Sequence, residues 1–308
     1  MSPHAHAIGA ILVLLTPILV QGQQLKVTLL GTGAPPPEIE RFGPSTLVEA
    51  GTEQLLFDVG RGTTQRLSQL NVSLDDVDVV FLTHLHADHT VGLPDLWLMS
   101  ALGGQSAIQI FGPEGTEGML LNLREAYQAD SRMTSAADAT SAHVIVEGVV
   151  YERNDVRVTA FSVDHAAGAT PAFGYRIDYA GRSLVISGDT RPSENLVRFA
   201  QGVDVLIHEI IAARPGVLRE SERANQTFNA HTSPEDAGRI FDRVKPRLAV
   251  YTHVSLLAGA VARAALAAEL LPRTRSTYAG PVQVGEDLMT IVIDERIDVR
   301  PFSAGAVK

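Results

Sequence analysis

The chain of 308 residues contains no cysteine, which removes disulfides, thiolate nucleophiles and every cysteine-bearing metal site at once. Positive charge is also scarce: 25 Lys and Arg face 35 Asp and Glu, for a formal charge of −10. That balance lacks the clustered cations with which proteins grip a polyanion, so nucleic acid is not the expected partner. Charged residues amount to 19%, too few for long solvated tails. The one long apolar run, IGAILVLLTPILV at residues 8–20, falls short of the about 20 residues that a membrane span needs. It occupies the place of a secretory leader's hydrophobic stretch, with Val20-Gln21-Gly22 as a modest cleavage site, although MSPHAHA before it has no Lys or Arg. Residues 1–22 are therefore expected to be a signal peptide. Residues 23–308 are expected to form one periplasmic or secreted domain that is soluble once the leader is gone.

The 45% apolar content is that of a globular core. Short β-branched runs recur: LKVTLLGTG (25–33), STLVEA (45–50), EQLLFDVG (53–60), VDVVFLTH (77–84), AIQIFG (107–112), HVIVEGVVYE (143–152) and VRVTAFSVDH (156–165). FGYRIDYA (173–180), RSLVISGD (182–189), VDVLIHEI (203–210), RLAVYTH (247–253) and DLMTIVID (287–294) continue the series. Helix-period segments fall at 63–70, 94–102, 114–130, 194–200, 233–244 and 258–270. The helix at 233 has a readable start in Thr232 or Ser233, Pro234, Glu235 and Asp236. Adjacent hairpins mixed with helical connections predict an α/β fold, a four-layer αβ/βα sandwich of two mixed β-sheets flanked by helices. A phosphate loop is excluded at GTGAPPP (31–37), because three prolines stand where the helix should begin.

Of ten histidines, three fall with an aspartate in His84-Leu85-His86-Ala87-Asp88-His89, directly after an apolar strand. Imidazole and carboxylate together are what a cysteine-free transition-metal site requires. In this loop His84 and His86 would reach one ion, and Asp88 and His89 a second. Further ligands are expected from polar residues that terminate strands: His165, Asp189 after Gly188, and His253. His143 reads as a solvated histidine. His208 and Glu209 share a strand, where alternation should turn one inward and the other outward. His231, in a loop before a capped helix, is the candidate for a histidine that does chemistry without binding metal.

THLHADH with VGLPDLW, a lone His, GDT and an AHTS…YTH segment together resemble the metallo-β-lactamase superfamily. The closest likeness is to its ribonuclease Z branch and to the zinc-dependent arylsulfatase and phosphodiesterase relatives of that branch. The resemblance implies two Zn²⁺ ions, with Mn or Fe also suited to the ligands. One would lie on His84, His86 and His165, the other on Asp88, His89 and His253, with Asp189 bridging. It implies that Asp88 orients a metal-bridging hydroxide, that His231 assists the leaving oxygen, and that Glu209 holds His231. It also implies that Asp58 buttresses the histidine loop, and that Phe42, Trp97 and Met99 wall an apolar pocket.

A ribonuclease Z of the bacterial type carries a tRNA-gripping arm between the positions of His165 and Asp189, where this sequence has only residues 166–188. With the negative charge and the leader, this absence leads to the expectation of a hydrolase of small sulfate or phosphate esters, for which nucleic acid is an unlikely partner. A ribonuclease Z-type tRNA 3′ endonuclease and a lactonase or β-lactamase are the alternatives. The relatives also suggest a homodimer, though no segment marks an interface.

Overall fold

The computed structural model describes residues 24–303 except 104–106, 131–139 and 166–170. The leader expected over residues 1–22 lies outside the described residues. Two mixed sheets pack face to face. The first runs β15 (Ile297–Arg300), β14 (Thr290–Ile293), β1 (Leu25–Gly31), β2 (Ser45–Ala50), β3 (Glu53–Phe57), β4 (Val79–Phe81), β5 (Gln109–Gly112), β6 (Ser141–Val144). The second runs β13 (Val282–Val284), β12 (Leu248–Leu257), β11 (Val205–Ala213), β10 (Arg182–Ile186), β9 (Ala172–Tyr179), β8 (Val156–Val163), β7 (Gly148–Arg153). In each sheet one flank is antiparallel and the other parallel; the parallel part is β3 to β6 in the first and β10 to β13 in the second.

Period-two alternation explains the layering. Leu25, Val27 and Leu29 of β1 point between the sheets, where they meet Phe57, Phe81, Tyr175, Ile207 and Val250 in one continuous core. The opposite face of the first sheet offers Leu47, Leu56, Val80 and Ile110 to three helices, α1 (Thr63–Gln69), α3 (Leu93–Gly103) and α4 (Thr116–Tyr127), through Leu67, Leu96 and Leu120. The second sheet is covered in the same way by α5 (Glu194–Phe199), α8 (Pro234–Val244) and α9 (Ala260–Arg275), which seat Leu196, Phe241 and Leu266. The expected four layers are therefore present. The start of α8 is as read: Ser233 accepts from the Asp236 N–H and Pro234 occupies the first turn.

Some expectations differ in detail. Residues 143–152 are not one strand, because β6 ends at Val144 in the first sheet and β7 begins at Gly148 in the second. Gly148, at φ 136, lies where the chain crosses between sheets, a backbone conformation that favours glycine. The strand expected over 77–84 is only Val79–Phe81, since the chain then turns into the histidine loop. His208 and Glu209 do not split inward and outward; both are buried. Their strand is central and parallel to both neighbours, so each of its faces is covered. Strands β13 and β15, and helices α6 (Pro215–Glu220) and α7 (Glu222–Asn229), carried no recognised sequence signal. Among the described residues no helix is long and apolar enough to cross a membrane.

Candidate metal centre

The histidine loop is lashed to both sheets. The Leu82 N–H donates to Phe111, the Val59 N–H to the His89 carbonyl, the Phe173 N–H to the Thr83 carbonyl, and the Tyr175 hydroxyl to the Leu82 carbonyl. His86 then serves as the N-cap of the single turn α2 (Ala87–Thr90), which carries Asp88 and His89. Asp58 follows β3 in a left-handed conformation, at φ 58. It accepts from the Thr83 N–H (2.8 Å), the Thr83 hydroxyl (2.9 Å) and His89 Nδ1 (2.8 Å). With Nδ1 donating, His89 is left with Nε2 as its free ligand atom.

The second sheet supplies the rest. Asp189 follows Gly188, whose φ of 60 makes the turn after β10. His253 sits at a break in ladder register: Glu209 pairs with Thr252 and Ile210 with Val254, so His253 is the extra residue of a bulge, at φ 43. Bulges of this kind re-aim a side chain. His165 donates from Nδ1 to the Ala230 carbonyl at 3.1 Å, and its Nε2 lies 3.3 Å from His86 Nδ1.

The structure brings all seven expected ligands together. The donor atoms of His84, His86 and His165 lie within 4.8 Å of one another, as do those of Asp88, His89 and His253. Asp189 Oδ2 stands 3.8 Å from His84 Nε2, 3.3 Å from His89 Nε2 and 3.4 Å from His253 Nε2, within reach of members of both triads. His84 Nε2, His89 Nε2 and Asp189 Oδ1 are buried and have no hydrogen-bond partner among the described residues. Buried polar atoms seldom go unsatisfied, and His84, His89 and Asp189 bring donor atoms within 4.8 Å of one another, so the donor set fits a pair of divalent cations.

The electrostatics divide the donors. Burial, reinforced by the neighbouring imidazoles, holds His84 well below the ordinary histidine range, and burial likewise lowers His165. Burial opposes the charges on Asp88 and Asp189, but the surrounding histidines outweigh it and keep both carboxyls below their usual range. His89 goes the other way: burial opposes its charge, but Asp189 and Asp58 outweigh it and hold the imidazole well above the ordinary range, so binding a cation there would release a proton.

Beside the triads, Glu209 Oε1 accepts from the Thr232 N–H at 2.8 Å, and Oε2 lies 3.3 Å from His231 Nδ1. Burial disfavours charge on His231, but Glu209 and then Asp189 outweigh it and push the imidazole up to about 9. His231 thus holds a proton at neutral pH. A cavity of about 610 Å³ opens onto His86, Asp88, His165, Asp189, His231 and His253.

Other expected site residues lie elsewhere. Trp97 is buried in the first sheet's helical layer, edge-on to Tyr127, and Met99 is exposed; neither lines this cavity or the one beside it. The reason is helical phase, which turns Trp97 toward Tyr127 of α4 and Met99 toward solvent. Phe42 does line the neighbouring cavity. His143 is solvent-exposed against Phe111, as expected. Arg223, Gln226 and Thr227 on α7 roof the metal cavity and were not anticipated. The Ser221 cap, which accepts from the Ala224 N–H, was the available signal, but this helix has no apolar stripe to accompany it.

This centre, on a sandwich of two mixed sheets, defines a metal-dependent hydrolase of the metallo-β-lactamase fold. Residues 47–254 match the β-lactamase superfamily domain, and the chain belongs to that superfamily, in its ribonuclease Z-like branch. It is 32% identical over 289 residues to a protein named ribonuclease Z from Mycobacterium sp. (strain KMS), covering 90% of this chain and 99% of the relative. Among solved structures it is similar to the metallo-β-lactamase fold protein YhfI from Bacillus subtilis (TM-score 0.69, 18% identity, 87% of this chain and 99% of that one). It is also similar to human tRNase Z, short form (TM-score 0.66, 23% identity, 86% and 98%).

These likenesses overturn two expectations, that the substrate is a small ester and that nucleic acid is an unlikely partner. The missing arm does not separate this chain from proteins named ribonuclease Z, because the mycobacterial relative is matched over 99% of its own length. Net charge misled because it averages over the surface and does not describe the two cavities at the site, whose linings mix Arg41, Arg61 and Arg223 with Glu38, Asp88, Asp95 and Asp189.

Proposed function

We propose that this chain is a metal-dependent endoribonuclease of the ribonuclease Z type, which hydrolyses a phosphodiester near the 3′ end of a tRNA precursor. The observation that carries this reading is the likeness to a protein of that name across nearly its whole length. The geometry supports it through a buried carboxylate, Asp189, set between two triads of donors and 3.9 Å from His231 Nδ1.

Zinc is the proposed ion, since imidazole and carboxylate donors without thiolate suit it, with Mn or Fe as substitutes. His84, His86 and His165 would hold one ion and Asp88, His89 and His253 the other, with Asp189 between them. When bound, such a pair supplies Lewis-acid stabilisation of phosphoryl charge and activation of water. The chain's own groups do the rest. Asp88 presents a carboxylate oxygen at the cavity wall to orient the attacking water. His231 offers a proton to the leaving oxygen, while Glu209, 3.3 Å from its Nδ1, favours the charged ring. Asp58 holds the tautomer of His89. Arg223 meets the phosphate backbone at the cavity mouth.

Cleavage of a 3′-extended tRNA by the purified chain, with and without chelator, tests the proposal, with metal content measured in parallel. Chelator-sensitive cleavage that weakens with rising salt is expected. A metal-replete protein that leaves the RNA intact overturns it. In this reading His231→Ala lowers turnover about 10²–10⁴-fold while leaving metal content unchanged. The leader over residues 1–22 and a periplasmic or secreted location are separate proposals. N-terminal sequencing of the mature protein should give a start near Gln23.

A further inference from the structure

Asp88 and Pro35 line a second cavity as well as that of the metal centre. It measures about 640 Å³, within the range of about 300–1,000 Å³ that holds a small organic ligand. Much of its wall is carbon, from Pro35, Pro37, Phe42 and Val91. Val91 is 44% exposed, a large apolar side chain left facing solvent next to the metal loop.

The wall is built, not incidental. The Phe42 ring lies so close over Gly62 that a Cβ there would fall 2.1 Å from a ring carbon, so this position requires glycine. The Arg66 guanidinium stacks 4.0 Å from the same ring. Asp287 Oδ2 accepts from both the Arg66 guanidinium (2.8 Å) and the Phe42 N–H (2.7 Å), fixing ring and cation together. Polar edges are oriented: the Thr64 hydroxyl donates to the Asp95 carboxylate beside the Gln65 amide, and both of these side chains line the cavity.

We infer that this cleft binds the nucleobase of the nucleotide next to the scissile phosphate. The inference rests on the nuclease reading and names how that substrate is seated. The lining mixes Glu38, Asp88 and Asp95 with Arg41 and Arg61, so charge does not single out a phosphate here, whereas a neutral planar base suits apolar walls with an amide and a carboxylate at its edge. Because the two cavities meet at Asp88, a phosphate seated at the metal centre leaves its neighbouring nucleoside facing this one.

The test is binding of a dinucleotide that carries 2-aminopurine and a non-hydrolysable phosphonate linkage to the full, metal-loaded chain, followed by fluorescence. Two labelled versions, with the reporter on the 5′ or the 3′ nucleoside, identify which base enters. The expected result is quenching of one reporter only, with affinity about 5–100-fold weaker in Phe42→Ala, the range for loss of one base–aromatic contact. Val91→Asp, at an exposed position that spares the core, should weaken it comparably. Affinity unchanged in both variants overturns the inference, as does complete competition by inorganic phosphate at the strength of the dinucleotide itself. Cleavage of the 3′-extended tRNA is measured on the same preparations. Intact cleavage with unaltered dinucleotide binding in the variants overturns the cleft and leaves the nuclease reading standing; selective binding without any RNA cleavage does the reverse.

Discussion

Asp58 and His89 are joined at 2.8 Å, carboxylate to Nδ1, by a bond buried beneath the metal loop. The other carboxylate oxygen accepts from the Thr83 N–H, so one side chain sets both the tautomer of His89 and the path of the chain into the loop. Removal of such a partner costs about 10–100-fold in metal affinity or activity. Asp58→Ala is expected to lose metal in that range while keeping its fold, as measured by metal titration against a competing chelator and by circular dichroism.

Gly188 is needed for its backbone. At φ 60 it holds the turn before Asp189, and a Cβ there would meet the Phe173 carbonyl oxygen at 2.5 Å. Gly188→Ala should destabilise the protein by about 1–3 kcal/mol through strain at a left-handed position. It should also weaken metal binding by shifting Asp189. Urea denaturation and metal stoichiometry on one preparation check both effects.

Glu53 joins the two sheets. From β3 it accepts from the Tyr151 hydroxyl (2.5 Å) and the Asn154 amide (2.6 Å), and it pairs with Arg153 (3.1 Å). Burial opposes its charge, but these hydrogen bonds outweigh burial and hold the carboxyl below its ordinary range. A carboxyl lowered by folding contributes stability above its unfolded pKa of about 4.3, and that contribution fades as pH falls through the folded value. Glu53→Gln is therefore expected to cost about 1–3 kcal/mol at pH 7. The gap between wild type and variant should narrow from pH 5 toward pH 3, as followed by denaturant midpoints across that window.

Asp287 pins both ends of the loop between β1 and β2. Oδ1 accepts from the N–H and hydroxyl of Thr32, and Oδ2 from the N–H of Phe42 and from Arg66. An asparagine retains one accepting atom, so Asp287→Asn keeps one end and frees the other. With a hydrogen bond to a charged group worth about 1.5–3 kcal/mol, the variant should melt lower. It should also show a raised KM with little change in kcat, because the freed segment walls the substrate cavities but holds none of the metal donors. Steady-state cleavage kinetics separate the two parameters.

The sequence made the metal donors legible because each ends or follows a strongly apolar strand, and such strands are its clearest periodic signal. His84 after β4, Asp189 after β10 and His253 in β12 all converge. The bulge that aims His253 left no mark, since it is a matter of register between two chains of residues. The fate of His208 and Glu209 was hidden for a similar reason: alternation predicts a one-sided strand, and only the order of the sheet reveals that both faces are covered. Helix α7 escaped because a polar helix over a cavity has no apolar stripe. The substrate class was misjudged from a whole-chain charge and a missing insertion, neither of which describes the local surface that meets the substrate.

The chain leaves the first sheet at Val144 and enters the second at Gly148, so His84 to His89 come from one layer and Asp189 and His253 from the other. The ions would then act as a clasp between two halves of the molecule. Their binding energy would be felt as resistance to prying those halves apart, and any strain that loosens the seam would be read out first as lost metal.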